Sequence, residues 1–277
     1  MNSKELYEDM VDEIIVSLDK GDMEWISQWS SGLPTSMASG KAYSGTNIFA
    51  LSLHKYRNGF SSNFYATYGQ IQKLGGRVKK GSVSSPIWYY QPMVKTDKNG
   101  EEVNFAMLKH YYVFNLEQTT LEDTQEPKEV IPIDEAEALI KNYKFTLESG
   151  VPSYSPTSDI VYMPNPSQFK SMEAYYSTLF HELIHSTGHT KRLKRKGIVG
   201  VANFGSENYS KEEMVAEIGR MFLCAECNID GNKDNSMAYI KNWSKALSKD
   251  LKQDKNLLRK LCSQAQKGVD CIKGDKK

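Results

Sequence analysis

The sequence predicts an α+β protein of two domains: an N-terminal α+β domain and a C-terminal, mostly helical domain with a small sheet. Three observations predict it. The chain has 277 residues, enough for two domains of ordinary size that each bury a core. Aromatic, strand-like runs concentrate before residue 122, whereas helical periodicity dominates after residue 132. Between them, LEDTQEPKEVIP is acidic, holds two prolines and lacks aromatics. The expected domains are therefore 1–122 and 132–277, joined by a linker at 123–131.

The elements follow in order. MNSKELYEDMVDEIIVSLDKGD sets Ile14, Ile15, Val16 and Leu18 among acidic residues, which reads as an amphipathic helix to Asp19 or Lys20 and not as a signal peptide. Turn signals (SSGLP, ASGK, NGF, LGG, KKGS) then separate short apolar or aromatic runs. PIWYYQPMVKT and HYYVFNLEQTT read as strands around DKNGEE, a hairpin-turn sequence. IDEAEALIKN opens the second domain as a helix, KFTLES and DIVYMP are extended, and three or more helices complete the chain. No apolar run is long enough to span a bilayer, so no membrane partner and a cytoplasmic location are expected. The four cysteines fit that setting as reduced thiols; Cys224 and Cys227 form a CxxC without a second CxxC, which favours helix packing over a metal site.

Charge is segregated. From Trp25 to Thr96 there are 72 residues without an Asp or Glu, and they carry eight Lys or Arg and twelve aromatics. The remainder of the chain is net acidic, so one surface is set up to meet a polyanion. Cations along a backbone together with rings that stack on unpaired bases suit a single-stranded nucleic acid, each stack contributing about 1–3 kcal/mol. Duplex binders have less use for exposed rings. The candidate contacts are Lys41, Tyr43 and Asn47 in GKAYSGTN, Tyr68, the LGGRVKKGS cations Arg77, Lys79 and Lys80, and Trp88. The glycines beside those cations are expected to let backbone approach phosphates.

HELIHSTGH holds three of the five histidines. His181 and His185 are four residues apart, so on a helix both imidazoles reach one cation, and Glu182 stands beside the metal-bound water as its base. An apolar stripe of Tyr176, Leu179, Phe180, Leu183 and Ile184 supports the helix, and Gly188 falls where it should end. A third ligand has three sources. His189 is close but lies beyond Gly188, and the metzincin position 191 is a lysine. Glu213 and Glu217 lie one turn apart in SKEEMVAEIGRMFLCAE, although Ser210 and Glu213 also form a capping-box pattern. The spacing resembles the glutamate-ligand zincins, which implies Glu213 as ligand, with Glu217 supporting a ligand histidine from behind. Zn²⁺ is the expected cofactor, with Mn²⁺ or another divalent transition metal able to replace it.

The chain as a whole resembles the ArdC-type antirestriction proteins of plasmids and other mobile elements. The likeness rests on GKAYSGTN, TYGQIQKLGGRVKKGS and YYVFNLEQ in the first half. In the second it rests on DEAEALI, SPTSDIVYMP, YYSTLFHELIHSTGHTKRL and YSKEEMVAEIGRMFL. It implies a single-stranded-DNA-binding domain followed by a zincin-like metallopeptidase domain, and a role in protecting mobile DNA from restriction. Prolines expected beside Trp25 and Trp29 are missing from MEWISQWSS. Two functions compete: a peptidase acting on an unidentified protein or peptide, with SDIVYMP as the edge strand for that substrate, and a non-catalytic DNA-covering protein with a structural metal. A metallonuclease is disfavoured, because paired-metal nucleases use carboxylate-rich sites.

Overall fold

The computed structural model describes residues 2–21, 32–96, 101–122, 132–199, 207–230 and 237–274. The expected linker 123–131, the hairpin turn at 97–100 and the tryptophans Trp25 and Trp29 lie outside the described residues. The chain divides into two compact units, Met1–Ser17 with Pro34–Thr124, and Leu18–Leu33 with Gln125–Lys277. The second unit thus includes Leu18–Leu33, which the expected boundary at residue 122 left in the first. The α+β class holds for the whole chain.

The first unit comprises α1 (Ser3–Lys20) up to Ser17, then β1 (Thr35–Ser36), α2 (Thr46–Asn58), β2 (Phe64–Thr67), α3 (Tyr68–Lys73), β3 (Ser85–Thr96) and β4 (Glu102–Asn115). Its sheet has the order β1-β2-β4-β3, with β1 parallel to β2 and the other pairs antiparallel. Pro86 and Pro92 are tolerated because β3 is an edge strand. The strand expected in HYYVFNLEQTT begins earlier, at Glu102, and stops at Asn115. There the Asn115 side chain accepts from Glu117 N–H and turns LEQ into a 3-10 turn. Leu51, Tyr65 and Val113 form the core behind the sheet, with Tyr43 and Ile87 packed against it.

The second unit opens with α4 (Pro132–Ile140). A small sheet follows: β5 (Thr146–Ser149), β6 (Ser153–Ser155) and β7 (Ile160–Met163), in the order β5-β7-β6. The helices are α5 (Met172–Thr187), a short α6 (Lys196–Val199), α7 (Glu207–Glu226), α8 (Met237–Gln253) and α9 (Asn256–Lys273). β7 is the central strand and hydrogen-bonded on both sides. SDIVYMP therefore has no open edge for a peptide, which corrects that expectation; the three-residue β6 is an edge. The stripe on α5 is buried throughout, and each such side chain contributes roughly 1.5–3 kcal/mol. All four cysteines are free, and Cys224, Cys227 and Cys262 are buried, as packing predicts.

Candidate functional site

Helix α5 begins where Ser171 accepts from Ala174 N–H, and it ends at Gly188. Gly188 is not left-handed (φ −74°), so conformational freedom is not its purpose. A Cβ there would lie 2.6 Å from Ile198 Cγ1 and 3.1 Å from the Arg195 guanidinium, so glycine lets Arg195 reach the helix end. Facing α5 is α7, and Gly219 sets their approach: a Cβ at that position would meet Ile184 Cδ1 at 2.7 Å. This contact brings the glutamates of α7 to the histidines of α5.

His181 Nε2 and His185 Nε2 are 3.1 Å apart, and each is 3.5 Å from a carboxylate oxygen of Glu213. Among the described residues these three are the group whose ligand atoms fall together, all within 4.8 Å of one another. The far nitrogen of each ring faces a different buried carboxylate. His181 Nδ1 lies 3.4 Å from Glu217 and His185 Nδ1 lies 3.3 Å from Glu212. Arg220 grips Glu217 with Nε at 3.0 Å and also donates to Ser177 Oγ at 2.7 Å. Arg195 grips Glu212 at 2.6 and 3.0 Å, and donates to Thr187 Oγ1 and the Ile184 carbonyl at 2.6 Å each. These carboxylates keep the proton on Nδ1 and turn both Nε2 lone pairs inward.

Three electron-pair donors then converge at separations of 3.1–3.5 Å. Ligand atoms around a tetrahedral ion with bonds of about 2.0–2.2 Å stand about 3.4 Å apart, so the donor set fits a divalent cation. Burial works against charge on His181, yet Glu213 and Glu217 push its pKa up to about 10: the pocket attracts positive charge. Burial raises Glu182 above the usual carboxylate range, with the two histidines and the Tyr154 backbone N–H opposing it. A raised carboxyl beside the donor set suits proton exchange with water.

The other sequence candidates fall elsewhere. Glu217 stands behind His181, away from the convergence point, and Arg220 holds its carboxyl far below the ordinary range against the effect of burial. His189 Nδ1 instead faces Asp159 at 3.5 Å and accepts from Lys191 N–H at 3.3 Å. Ser210 lies inside α7, which starts at Glu207, so the capping-box reading is excluded. Sequence reasoning missed Glu212, Arg195 and Arg220; the Glu212–Glu213 doublet was the available signal.

In the first unit, Lys41, Arg77, Lys79, Lys80 and Tyr68 are exposed, while Tyr43 is half-buried against the core. Two candidates need correction. Trp88 is buried, its indole Nε1 donating to the Ser3 carbonyl at 3.1 Å and its ring edge-on to Tyr7, so it has no face for a base. The Asn47 amide donates to and accepts from the Trp88 backbone at 2.8 Å in each direction, bracing the sheet edge. Gly76 serves packing against Leu121, where a Cβ would collide, and not phosphate approach. Among the described residues Tyr68 is joined as an exposed ring by Tyr90 at 41%, Tyr111 at 52% and Tyr112 at 45%, with Tyr89 and Tyr111 stacked at 5.0 Å.

Fold and site together define a class: a zincin-like metallopeptidase unit behind an N-terminal domain of antirestriction type. Residues 134–258 match the zincin-like metallopeptidase family, and residues 4–114 match the N-terminal domain of anti-restriction factor ArdC. The metal-free crystal structure of antirestriction ArdC protein from plasmid R388 is 33% identical, with a TM-score of 0.75 and 96% of each chain covered. Its Mn(II)-bound structure is 32% identical, with a TM-score of 0.75 and 97% of each covered. The chain belongs to the ArdC antirestriction family. Two Escherichia coli proteins named DNA primase TraC are 32% and 31% identical, over 89% and 88% of this chain. The chain spans only 25% and 18% of their lengths. The protein y4eC of Sinorhizobium fredii is 28% identical over 89% of this chain and 85% of its own length.

Proposed function

We propose that this protein is a cytoplasmic antirestriction factor of a mobile element, which binds single-stranded DNA through its first unit and hydrolyses peptide bonds in its second. The observation that carries the reading is the convergence of His181, His185 and Glu213 beside the buried Glu182, in a chain that also holds the ArdC N-terminal domain. The donor set suits Zn²⁺, and the Mn(II)-bound relative supports Mn²⁺ as an alternative. When bound, such an ion supplies Lewis acidity and lowers the pKa of a water at its open position.

The chain's own residues supply the rest. Glu182 accepts a proton from the attacking water and passes it to the leaving amine. The Tyr154 backbone N–H favours the ionised form of Glu182, against the effect of burial. Because Tyr154 belongs to β6, that edge strand runs beside the base, and an extended peptide adding to it brings its carbonyl to Glu182. Arg192 and the Tyr154 hydroxyl both bind Asp159, which closes the β6–β7 turn and anchors this strand. No helix among the described residues is long and apolar enough to cross a membrane.

Glu182→Gln separates catalysis from coverage of DNA. The variant keeps metal, fold and DNA affinity. Loss of protection against restriction, with loss of proteolysis in a host lysate, supports the peptidase. Full protection by Glu182→Gln shows that DNA coverage alone suffices, with the metal structural.

A further inference from the structure

In the first unit, Gly59 ends α2 in the left-handed region (φ 66°) and turns the chain into Phe60-Ser61-Ser62. Three donors from this turn converge on one point: Ser61 N–H at 2.7 Å, the Ser61 hydroxyl at 2.8 Å and Ser62 N–H at 2.8 Å. The atom at that point is Glu117 Oε1. Two cations lie near this carboxylate, and Lys55 acts on it electrostatically. Lys79 Nζ sits 2.8 Å from the Glu117 carbonyl, and the buried Lys55 donates to Asn63 Oδ1 at 2.6 Å. A cavity of about 470 Å³ opens here, with Ser61, Ser62, Lys79 and Thr119 in its walls. Backbone pairing aligns the basic loop along one wall: Lys79 N–H donates to the Gln118 carbonyl at 2.8 Å, and Thr120 N–H to the Arg77 carbonyl at 2.9 Å.

Two convergent backbone amides and a hydroxyl make a donor set for a phosphate oxygen, and the two ammonium groups nearby favour an anion there. Glu117 brings a carboxylate into a surface whose neighbouring sequence, 25–96, contains no acid. Its backbone is fixed in the 3-10 turn, but the residue is exposed, so a rotamer change frees the cradle without unfolding. We infer that the Ser61–Ser62 turn is an anion cradle for one phosphodiester of the single strand, and that Glu117 is its resident when no strand is bound. This rests on the DNA-binding reading above. A phosphodiester matches the carboxylate's charge and keeps all three hydrogen bonds, and the strand adds the contacts of Arg77, Lys79 and Lys80.

The test compares wild type, Glu117→Gln and the control Glu122→Gln, which makes the same charge change nearby. Binding of a 12-nucleotide oligothymidylate is measured across salt. Glu117→Gln is expected to bind about three- to tenfold tighter, with a salt slope steeper by about 0.7, one more phosphate neutralised. Glu122→Gln is expected to change affinity less than about twofold, as a solvent-screened surface charge outside the cradle does. In parallel, the Ser61 and Ser62 amide resonances of the wild type shift on adding the oligonucleotide, a readout that stands even where Glu117→Gln folds poorly. Affinity and slope equal in the two variants, or unmoved Ser61 and Ser62 amides, overturn the cradle alone. Failure of wild type to bind the oligonucleotide overturns the cradle and the DNA-binding reading together.

Discussion

Behind the imidazoles of His181 and His185 stand two buried carboxylates, each gripped by a buried arginine, whereas Tyr90, Tyr111 and Tyr112 on the β3–β4 ribbon stand 41–52% in solvent. The donor cluster is over-determined: each of its two imidazoles has a fixed tautomer and each fixing carboxylate has its own anchor. The ribbon leaves its rings adjustable. A reaction site gains from donors held before the ligand arrives, since no reorganisation remains to be done. A surface that meets a polymer of variable sequence gains from side chains that turn to whatever base is present.

The comparison is broken most severely by removing an anchor at the centre. Arg220→Met leaves Glu217 buried without its partner, and urea unfolding should show a loss of about 3–5 kcal/mol. A loss under about 1 kcal/mol would mean that Glu217 relaxes to water and that the centre is not rigid. The next pair of substitutions sets two aromatic roles side by side. Trp88→Ala should cost about 3–5 kcal/mol of stability, as a core truncation does. Tyr111→Ala should leave the melting transition nearly unchanged and weaken single-stranded DNA binding by about 1–3 kcal/mol. Reversed outcomes would return Trp88 to the interface.

How much of this was legible in the sequence differs between the units for physical reasons. The HExxH histidines could be placed because a single helix sets their spacing, and the stripe beneath them declares which way it faces. Glu212 could not, since a glutamate doublet on a helix reads equally well as a solvated face. Only the approach of α7 to α5, with Arg195 arriving from the loop after α5, makes it a buried partner of His185. In the ribbon, WYY and HYY each offer consecutive rings on alternating faces. Which face meets the core depends on α1 covering Trp88, a contact between residues 85 positions apart. β6 was missed because three residues hold no period to read.

Two smaller changes sharpen the contrast. Gly219→Ala pushes α7 against Ile184 and should cost about 1–3 kcal/mol while lowering metal affinity, read by chelator competition. Lys80→Ala should leave stability unchanged and reduce the salt slope of DNA binding by about 0.7. A Lys80→Ala slope equal to that of wild type would remove this cation from the strand's path.

Metal analysis of three proteins, after loading with Zn²⁺ and desalting, tests the centre most directly: wild type, Glu213→Ala and Glu217→Gln. Wild type should hold about one ion per chain. Glu213→Ala, which removes one donor from a set of three, should lose nearly all of it. Glu217→Gln should still bind about one ion, with affinity about 10–100-fold weaker because only the group behind His181 has changed. Full metal content in Glu213→Ala together with loss in Glu217→Gln would exchange the roles of the two glutamates.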